Sequence, residues 1–196
     1  VAGPIRAVEA AARAASRTPV VMVGGGDPVA AGLVASLARP GGMVTGVSSL
    51  SSALSEKFLE LLLAAAPKVR RIGFLVDTAA ALRDVHLANA RRSVKQHSVE
   101  ARYAELARPD EIEPALARLA KDGVQALVVM PSTAFGVEQR RIVKFALAQR
   151  WPVIAGAGGW AEAGALLSYS ADSLANYRRA AYYVDRILKG AKPGDL

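Results

Sequence analysis

Residues 126–135 read ALVVMPSTAF, an apolar run that ends in proline and hydroxyl-bearing side chains. The five residues from Ala126 to Met130 are all apolar, which is typical of a strand covered by helices on both faces. Similar short apolar runs alternate with longer helical patterns on both sides of this stretch. The alternation predicts βα units around a parallel sheet, and therefore an α/β fold.

The same alternation gives the expected bounds of the strands and helices. Strands are predicted at residues 19–23, 44–47, 71–76, 100–106, 126–130, 152–155 and 165–169. Helices are predicted at residues 4–16, 28–38, 53–66, 80–97, 109–121, 136–150 and 173–189. In the last helix, apolar residues at helical spacing predict one buried stripe, made of Tyr177, Ala180, Ala181, Val184, Ile187 and Leu188.

The composition of the 196-residue chain is that of a globular protein, with 52% apolar and 21% charged residues. Cysteine is absent, which excludes disulfides and cysteine nucleophiles. The net charge is +8, but the basic residues are spread along helical segments without the interleaved aromatic residues of a base-stacking surface. No run of about 18 uncharged apolar residues is present. The composition therefore predicts neither nucleic-acid binding nor a membrane span.

A glycine-rich loop follows the first predicted strand, at Gly24–Gly26, and it does not fit a phosphate-binding motif. The dinucleotide fingerprint needs a third glycine at position 29, which is Val29. A P-loop needs lysine after its last glycine, but Gly32 is followed by leucine. Asp27 is predicted to cap a helix that begins at Pro28, and its carboxylate suits a ligand ammonium better than a phosphate.

No set of residues in the sequence forms a recognisable catalytic or metal-binding group. His86 and His97 lie eleven residues apart on one predicted helix, about 16 Å, too far to share a metal, and both are expected to be exposed. Ser132 lacks the flanking glycines of a hydrolase elbow. Tyr169 and Tyr177 lack the lysine four residues on that a short-chain dehydrogenase needs. The sequence therefore predicts no catalytic residue, no metal and no cofactor.

Ligands of open α/β sheets bind beyond the carboxyl ends of the strands. Here those ends carry residues 24–27, 77–78, 131–135 and 155–160. Their small residues, hydroxyls, two aspartates and two aromatic rings suit a small amphipathic molecule. Breaks at residues 39–42 and in the serine-rich run at 48–55 suggest two lobes.

Residues 18–49, TPVVMVGGGDPVAAGLVASLARPGGMVTGVSS, resemble the corresponding run of periplasmic ABC-transporter substrate-binding proteins of the tryptophan/tyrosine type. Further matches follow in order at FLELLLAAAPKVRRIGFLVD (residues 58–77), ALVVMPSTAF (residues 126–135) and EAGALLSYSADSLANYRRAAYYVDRILKGAKPGDL (residues 162–196). Together they cover nearly the whole chain.

The resemblance implies a type I periplasmic-binding fold of two βα lobes with parallel sheets and the ligand enclosed between the lobes. The first lobe would comprise residues 1–47 with 170–196 returning to it, and the second residues 48–169. The first lobe is expected to be incomplete, because members of the family have further βα units upstream and a short segment downstream.

By the same resemblance the chain would be a non-catalytic receptor in the periplasm, serving an ABC permease and ATPase. Its signal peptide or lipoprotein anchor would lie outside this sequence. The ligand would be a small molecule, with aromatic amino acids the known class for some relatives. Two other hypotheses remain open on the residues alone, the sensor domain of a regulator and a Rossmann-like nucleotide-binding enzyme. A truncated first lobe would leave sheet edge and apolar helix faces exposed, which further predicts association of this chain as a homodimer.

The predicted ligand contacts combine the resemblance with the strand-end positions. They are Gly25, Gly26, Asp27, Asp77, Thr78, Ser132, Thr133, Phe135, Ala157 and Trp160. Two departures from the family pattern leave the ligand's identity open. Met43 replaces the asparagine of PGGNVTG, and GAGGW at residues 156–160 replaces a more aromatic or charged segment.

Overall fold

The computed structural model describes residues 1–14, 16–24, 26–49, 54–80 and 82–196. The chain divides into two compact units: unit 1 comprises Val1–Ser51 and Ala171–Leu196, and unit 2 comprises Ser52–Ser170. The helices are α1 (Ile5–Ala14), α2 (Lys57–Ala65), α3 (Arg83–His97), α4 (Ile112–Lys121), α5 (Thr133–Val137), α6 (Gln139–Ala148) and α7 (Ser173–Leu188). The strands are β1 (Val20–Val23), β2 (Val44–Val47), β3 (Arg71–Asp77), β4 (Glu100–Leu106), β5 (Ala126–Val129), β6 (Val153–Ala155) and β7 (Leu167–Ser168).

Unit 1 is built on a parallel pair of strands with helices on both faces. β1 and β2 pair from Val20↔Val44 to Val23↔Val47. Alternate side chains of β1 point to opposite faces, so Val20 and Met22 pack with Val8 of α1. The other two residues of the strand pack with Ala180 of α7. Apolar residues on both strand faces therefore each have a covering helix.

Unit 2 holds a five-stranded parallel sheet in the order β4-β3-β5-β6-β7. All four residues of the central strand β5 are buried, which confirms the prediction of a strand covered on both faces. Leu127 and Val129 contribute to one core with helices α4 and α6, and Ala126 and Val128 to another with α2 and α3. The predicted α/β class with parallel sheets is confirmed.

One predicted helix is wrong, because residues 28–32 form a turn and residues 33–38 are bends and irregular backbone. A single turn begins after Asp27, with Ala31 N–H donating to the Asp27 carbonyl. Gly32 then adopts φ +67, the left-handed conformation that ends a helix. Beyond it the Ser36 hydroxyl bonds with the backbone of Arg39, so local side-chain bonds replace the helical ladder.

The predicted buried stripe of α7 is confirmed for Ala180, Val184 and Ile187 and wrong for Tyr177, Ala181 and Leu188. Tyr177 and Leu188 are 59% and 81% exposed, respectively. The fourth residue that packs with Ala180, Val184 and Ile187 is Tyr183, which was not predicted. The predicted stripe is wider than the buried face, and periodicity alone does not give the width of that face.

The expectation that both histidines are exposed is wrong for one of them. His86 is only 3% exposed, whereas His97 lies on the surface. The His86 Nδ1 lies 3.0 Å from the Ser55 hydroxyl, which gives the buried ring a polar partner at the helix interface. A polar partner on the neighbouring segment allows this imidazole to be buried.

Candidate functional site

The glycine loop of unit 1 is fixed by two serines that follow the neighbouring strand. Gly24 and Gly26 have φ of +77 and +89, and Gly26 N–H donates to the Gly24 carbonyl at 2.6 Å. The hydroxyl of Ser48 donates to the Gly26 carbonyl, and that of Ser49 donates to the Gly24 carbonyl. The predicted contact Gly25 lies outside the described residues.

Sequence reasoning missed these serines, although a signal for them exists. Val23 and Val47 are in register in the parallel pair β1–β2. The residues that follow Val47 therefore run beside the residues that follow Val23. Two consecutive serines at that place, next to glycines, are typical of hydroxyls that bond a loop backbone.

Two polar side chains accompany this loop, Asp27 and Asn176. Oδ1 of the half-buried Asp27 accepts the N–H groups of Val29 and Ala30, at 3.0 and 3.1 Å. The predicted capping chemistry is thus present, but it closes a turn rather than a helix. The position that a Cβ would occupy on Gly24 lies 3.9 Å from Nδ2 of Asn176 in α7. Asn176 is a second residue that the sequence did not single out.

In unit 2 the carboxyl ends of β3 and β5 bring two predicted residues together. Asp77 is the last residue of β3, and its Oδ2 accepts the Ser132 hydroxyl at 2.6 Å. Its Oδ1 accepts the Ala79 N–H at 2.8 Å. Ser132 caps α5, where its Oγ accepts the Phe135 N–H at 3.3 Å. The arrangement holds one carboxylate in a fixed orientation at the edge of the sheet.

The remaining polar predictions at this edge have different environments. Thr78 donates both its hydroxyl and its N–H to the Leu106 carbonyl, at 3.0 and 2.8 Å, so its side chain ties the ends of β3 and β4 together. Thr133, the first residue of α5, is exposed. The Ala157 carbonyl accepts the Ser168 hydroxyl at 2.5 Å, which connects the ends of β6 and β7.

The two aromatic rings predicted as contacts lie in the core of unit 2. Phe135 and Trp160 are 3% and 2% exposed and pack in the cluster that contains Ile142 and Val143. This placement favours a packing role over ligand contact for both rings. A third ring, that of Tyr169, lies directly after β7 at the carboxyl edge of the sheet and is 36% exposed. It contacts Phe58 edge to face, with 6.5 Å between the ring centroids.

Residues 1–196 match the family described as ABC transporter substrate binding protein. The chain belongs to this family. The predicted family is thereby confirmed, and it is a family of binding proteins. The match favours a receptor over a regulator's sensor domain or a nucleotide-binding enzyme.

Individual members of the family are similar over most or all of the chain. A tyrosine-binding protein of Clostridioides difficile is 29% identical over 189 residues, which is 96% of this chain and 54% of that protein. The ABC domain from Streptococcus pneumonia in complex with L-Trp is 25% identical, with a TM-score of 0.86, over all of this chain and 65% of its own. A conserved domain protein from Vibrio cholerae is 26% identical, with a TM-score of 0.88, over all of this chain and 64% of its own.

These likenesses confirm the type I periplasmic-binding fold. The chain spans about half the length of the tyrosine-binding relative and just under two thirds of the two solved structures. In the described part of the chain, no group of three or more His, Asp or Glu side chains could hold a metal ion. Among those residues, no helix is long and apolar enough to cross a membrane.

Proposed function

We propose that this chain is part of the extracytoplasmic solute receptor of an ABC importer, which presents its ligand unchanged to a permease and its ATPase. The observation that carries the proposal is the family match over all 196 residues. The ligand proposed is an amino acid with an aromatic side chain. A tyrosine-binding relative and a relative solved with L-Trp support this class.

The groups at the carboxyl edge of unit 2 suit such a ligand chemically. A ligand ammonium would pair with Asp77, whose two oxygens are oriented by Ser132 and the Ala79 N–H. The partly exposed ring of Tyr169 would offer an offset or edge contact to an aromatic side chain. In unit 1 the polar groups at the glycine loop are the Gly26 backbone, Asp27 and the amide of Asn176.

The ligand class is tested by thermal unfolding and calorimetry of the chain with each of the common amino acids and with small carboxylates. At a ligand concentration of 100 times Kd, binding stabilises the folded state by about 2.7 kcal/mol, or roughly 5–10 °C in Tm for a chain of this size. We expect this shift with L-Trp, L-Tyr or L-Phe. No shift with any amino acid would contradict the ligand class, and conversion of the added compound would contradict a receptor.

The role of Asp77 is tested with Asp77→Asn and a matched control, Asp110→Asn. Asp110 is an exposed carboxylate of unit 2 that pairs with Arg108 at 2.8 Å. We expect Asp77→Asn to weaken binding at least about tenfold, since a charge-assisted bond to the ammonium is lost, and Asp110→Asn to leave affinity unchanged. Equal affinity in both variants would remove Asp77 from the site.

The importer role is tested in cells. Uptake of the labelled ligand found above would be measured in cells that carry or lack the gene. Loss of uptake on deletion, restored by the gene, is the expected result. Unchanged uptake would contradict the transport role while leaving the binding result intact.

A further inference from the structure

The backbone of Tyr169 is fixed at the carboxyl edge of unit 2 by bonds to the neighbouring strand. Its N–H donates to the carbonyl of Ala155, the last residue of β6, at 3.0 Å. The preceding residue, Ser168, donates its hydroxyl to the Ala157 carbonyl at 2.5 Å. Both bonds join the end of β7 to the end of β6, so the Cα of Tyr169 has a defined position. The direction of the side chain then depends on what the ring itself contacts.

The ring of Tyr169 contacts Phe58, which lies in the first turn of α2. The interplanar angle of the two rings is 87°, so they meet edge to face. Aromatic pairs favour this geometry, because the positive edge of one ring meets the negative face of the other. Phe58 is 1% exposed and packs in the core with Met130 and Ile154, whereas Tyr169 is partly exposed. The buried ring is therefore the fixed partner, from which the exposed ring takes its orientation.

Phe58 reaches the carboxyl edge because residue 156 has no side chain. A Cβ on Gly156, the first residue after β6, would lie 2.5 Å from Cζ of Phe58 and 2.9 Å from Cγ of Pro131. Gly156 does not adopt a positive φ, so its backbone conformation does not require glycine. The space filled by the Phe58 ring requires it instead. This accounts for the first glycine of the GAGGW segment, residues 156–160.

We propose that Phe58 is a positioning residue of the ligand site, which holds the Tyr169 ring in the orientation that contacts an aromatic ligand. Phe58 is buried and acts through Tyr169, without touching the ligand itself. The inference rests on the proposed function, since it takes the ligand to be an aromatic amino acid bound at this edge. A ring that is already held in place loses less conformational freedom when the ligand binds, and affinity rises accordingly.

The role of Phe58 is tested with Phe58→Leu, which removes the ring and keeps an apolar side chain in the core. Phe74→Leu is the matched control. Phe74 lies in the same buried cluster and is also 1% exposed, but it stacks on Tyr103, with 5.1 Å between the ring centroids. Both variants lose similar core contacts, so we expect similar shifts of the urea midpoint of unit 2.

Calorimetry with L-Trp, L-Tyr and L-Phe separates positioning from stability. We expect Phe58→Leu to weaken binding of these ligands about three- to tenfold, the range of one aromatic pair, and Phe74→Leu to leave it unchanged. Equal affinities in the two variants would overturn the inference. An unchanged chain that binds none of the three would instead contradict the proposed ligand class, and the orientation of Tyr169 would then decide the role of Phe58 alone.

The orientation of Tyr169 is measured without ligand, by NMR relaxation of the chain with ring-labelled tyrosine. The chain has five tyrosines, and Tyr169→Phe assigns the signal of this one. We expect the order parameter of the Tyr169 ring to fall in Phe58→Leu and to stay unchanged in Phe74→Leu. A Tyr169 ring that is equally ordered in all three proteins would overturn the inference, whatever the ligand.

Gly156→Ala tests the same arrangement from the opposite side. The added methyl group displaces the Phe58 ring, so we expect ligand affinity to fall as it does in Phe58→Leu. In the double variant the two losses should not add, because no ring is left at position 58 to be displaced. Fully additive losses would show that Gly156 acts independently of Phe58 and would overturn the proposed arrangement.

Discussion

Acidification is expected to destabilise unit 2 through His86. The imidazole is 3% exposed, in the interface between α3 and the segment that carries Ser55. Burial lowers the pKa of His86 from 6.5 to about 4. The neutral ring is therefore favoured in the folded state, while the unfolded state takes up the proton more readily.

The sign and size of the effect follow from this difference in pKa. Because the folded pKa is depressed, the contribution is fully present above pH 6.5 and is lost as the pH falls from 6.5 toward 4. The full loss is about 3 kcal/mol, and about 2 kcal/mol of it is reached near pH 5. A loss of this size is a large fraction of the stability of an ordinary domain.

Urea unfolding monitored by tryptophan fluorescence measures this loss in unit 2 alone. Both tryptophans of the chain, Trp151 and Trp160, are buried in that unit. His86→Gln removes the titrating group and keeps a hydrogen-bonding side chain toward Ser55. His97→Gln is the matched control, since His97 is on the surface of the same helix.

The expected result is a difference between the variants in their pH dependence. The unchanged chain and His97→Gln should both lose about 2 kcal/mol more between about pH 7 and about pH 5 than His86→Gln does. Surface carboxylates such as Glu100, whose pKa is lowered by its bond to Arg71, respond equally in all three proteins. The reasoning is refuted if His86→Gln keeps the full pH dependence.

Three substitutions test the packing of the two units. In β2, Gly46→Ala would place a Cβ 2.3 Å from the Met22 carbonyl oxygen at φ +127, so we expect a loss on the order of 3 kcal/mol from unit 1. Gly42→Ala is the control, since a Cβ there would have no atom within 4 Å, and it should change the stability of unit 1 by less than about 0.5 kcal/mol. Hydrogen exchange of the unit 1 amides measures both variants, and equal destabilisation by the two would contradict the account. Leu127→Ala should lower the free energy of unfolding of unit 2 by about 2–5 kcal/mol in urea, because this side chain is fully buried. A loss below about 1 kcal/mol would be inconsistent with that packing. Asp172→Ala removes the carboxylate that accepts the Ala175 N–H at 3.0 Å at the start of α7. We expect the helix to lose about 1 kcal/mol of stability. Unchanged hydrogen exchange of the first α7 amides would show that the cap contributes nothing.

The strands were predictable because their signal is local and repeated. β2 and β4 begin and end where the sequence predicts, at Val44–Val47 and Glu100–Leu106. β5, which is buried on both faces, is apolar throughout, so its pattern is visible without knowing its neighbours. The parallel sheet follows from the alternation with helices.

The errors fall where several structures fit the same local pattern. Residues 28–38 are rich in alanine and favour helix by propensity, yet a single left-handed glycine, Gly32, ends the first turn. The stripe predicted for α7 spans a wider arc than the buried face, and contact with Val21 and Val23 of the sheet selects the part around Ala180. His86 is polar by type, and only its partner on another segment makes its burial possible.

The sheet positions of two candidate contacts were predictable from strand ends, whereas the surroundings of the aromatic rings were not. Strand ends located Asp77 and Ser132 correctly at one edge, since β3 and β5 are neighbours in the sheet. Residue type alone did not separate aromatic rings that fill the core, such as Trp160, from the partly exposed Tyr169. Exposure of a ring is set by the helices packed around it, which is tertiary information.

The structure also separates the two departures from the family pattern. Met43 precedes β2, and its carbonyl accepts the N–H of Val20 at the amino end of the sheet, away from the glycine loop. The GAGGW segment instead follows β6, at the carboxyl edge that carries Asp77. A Cβ on Gly156 would meet Phe58 at 2.5 Å, whereas one on Gly158 would meet nothing within 4 Å. Gly156 is therefore required for packing, whereas the exposed Gly158 has room for a side chain.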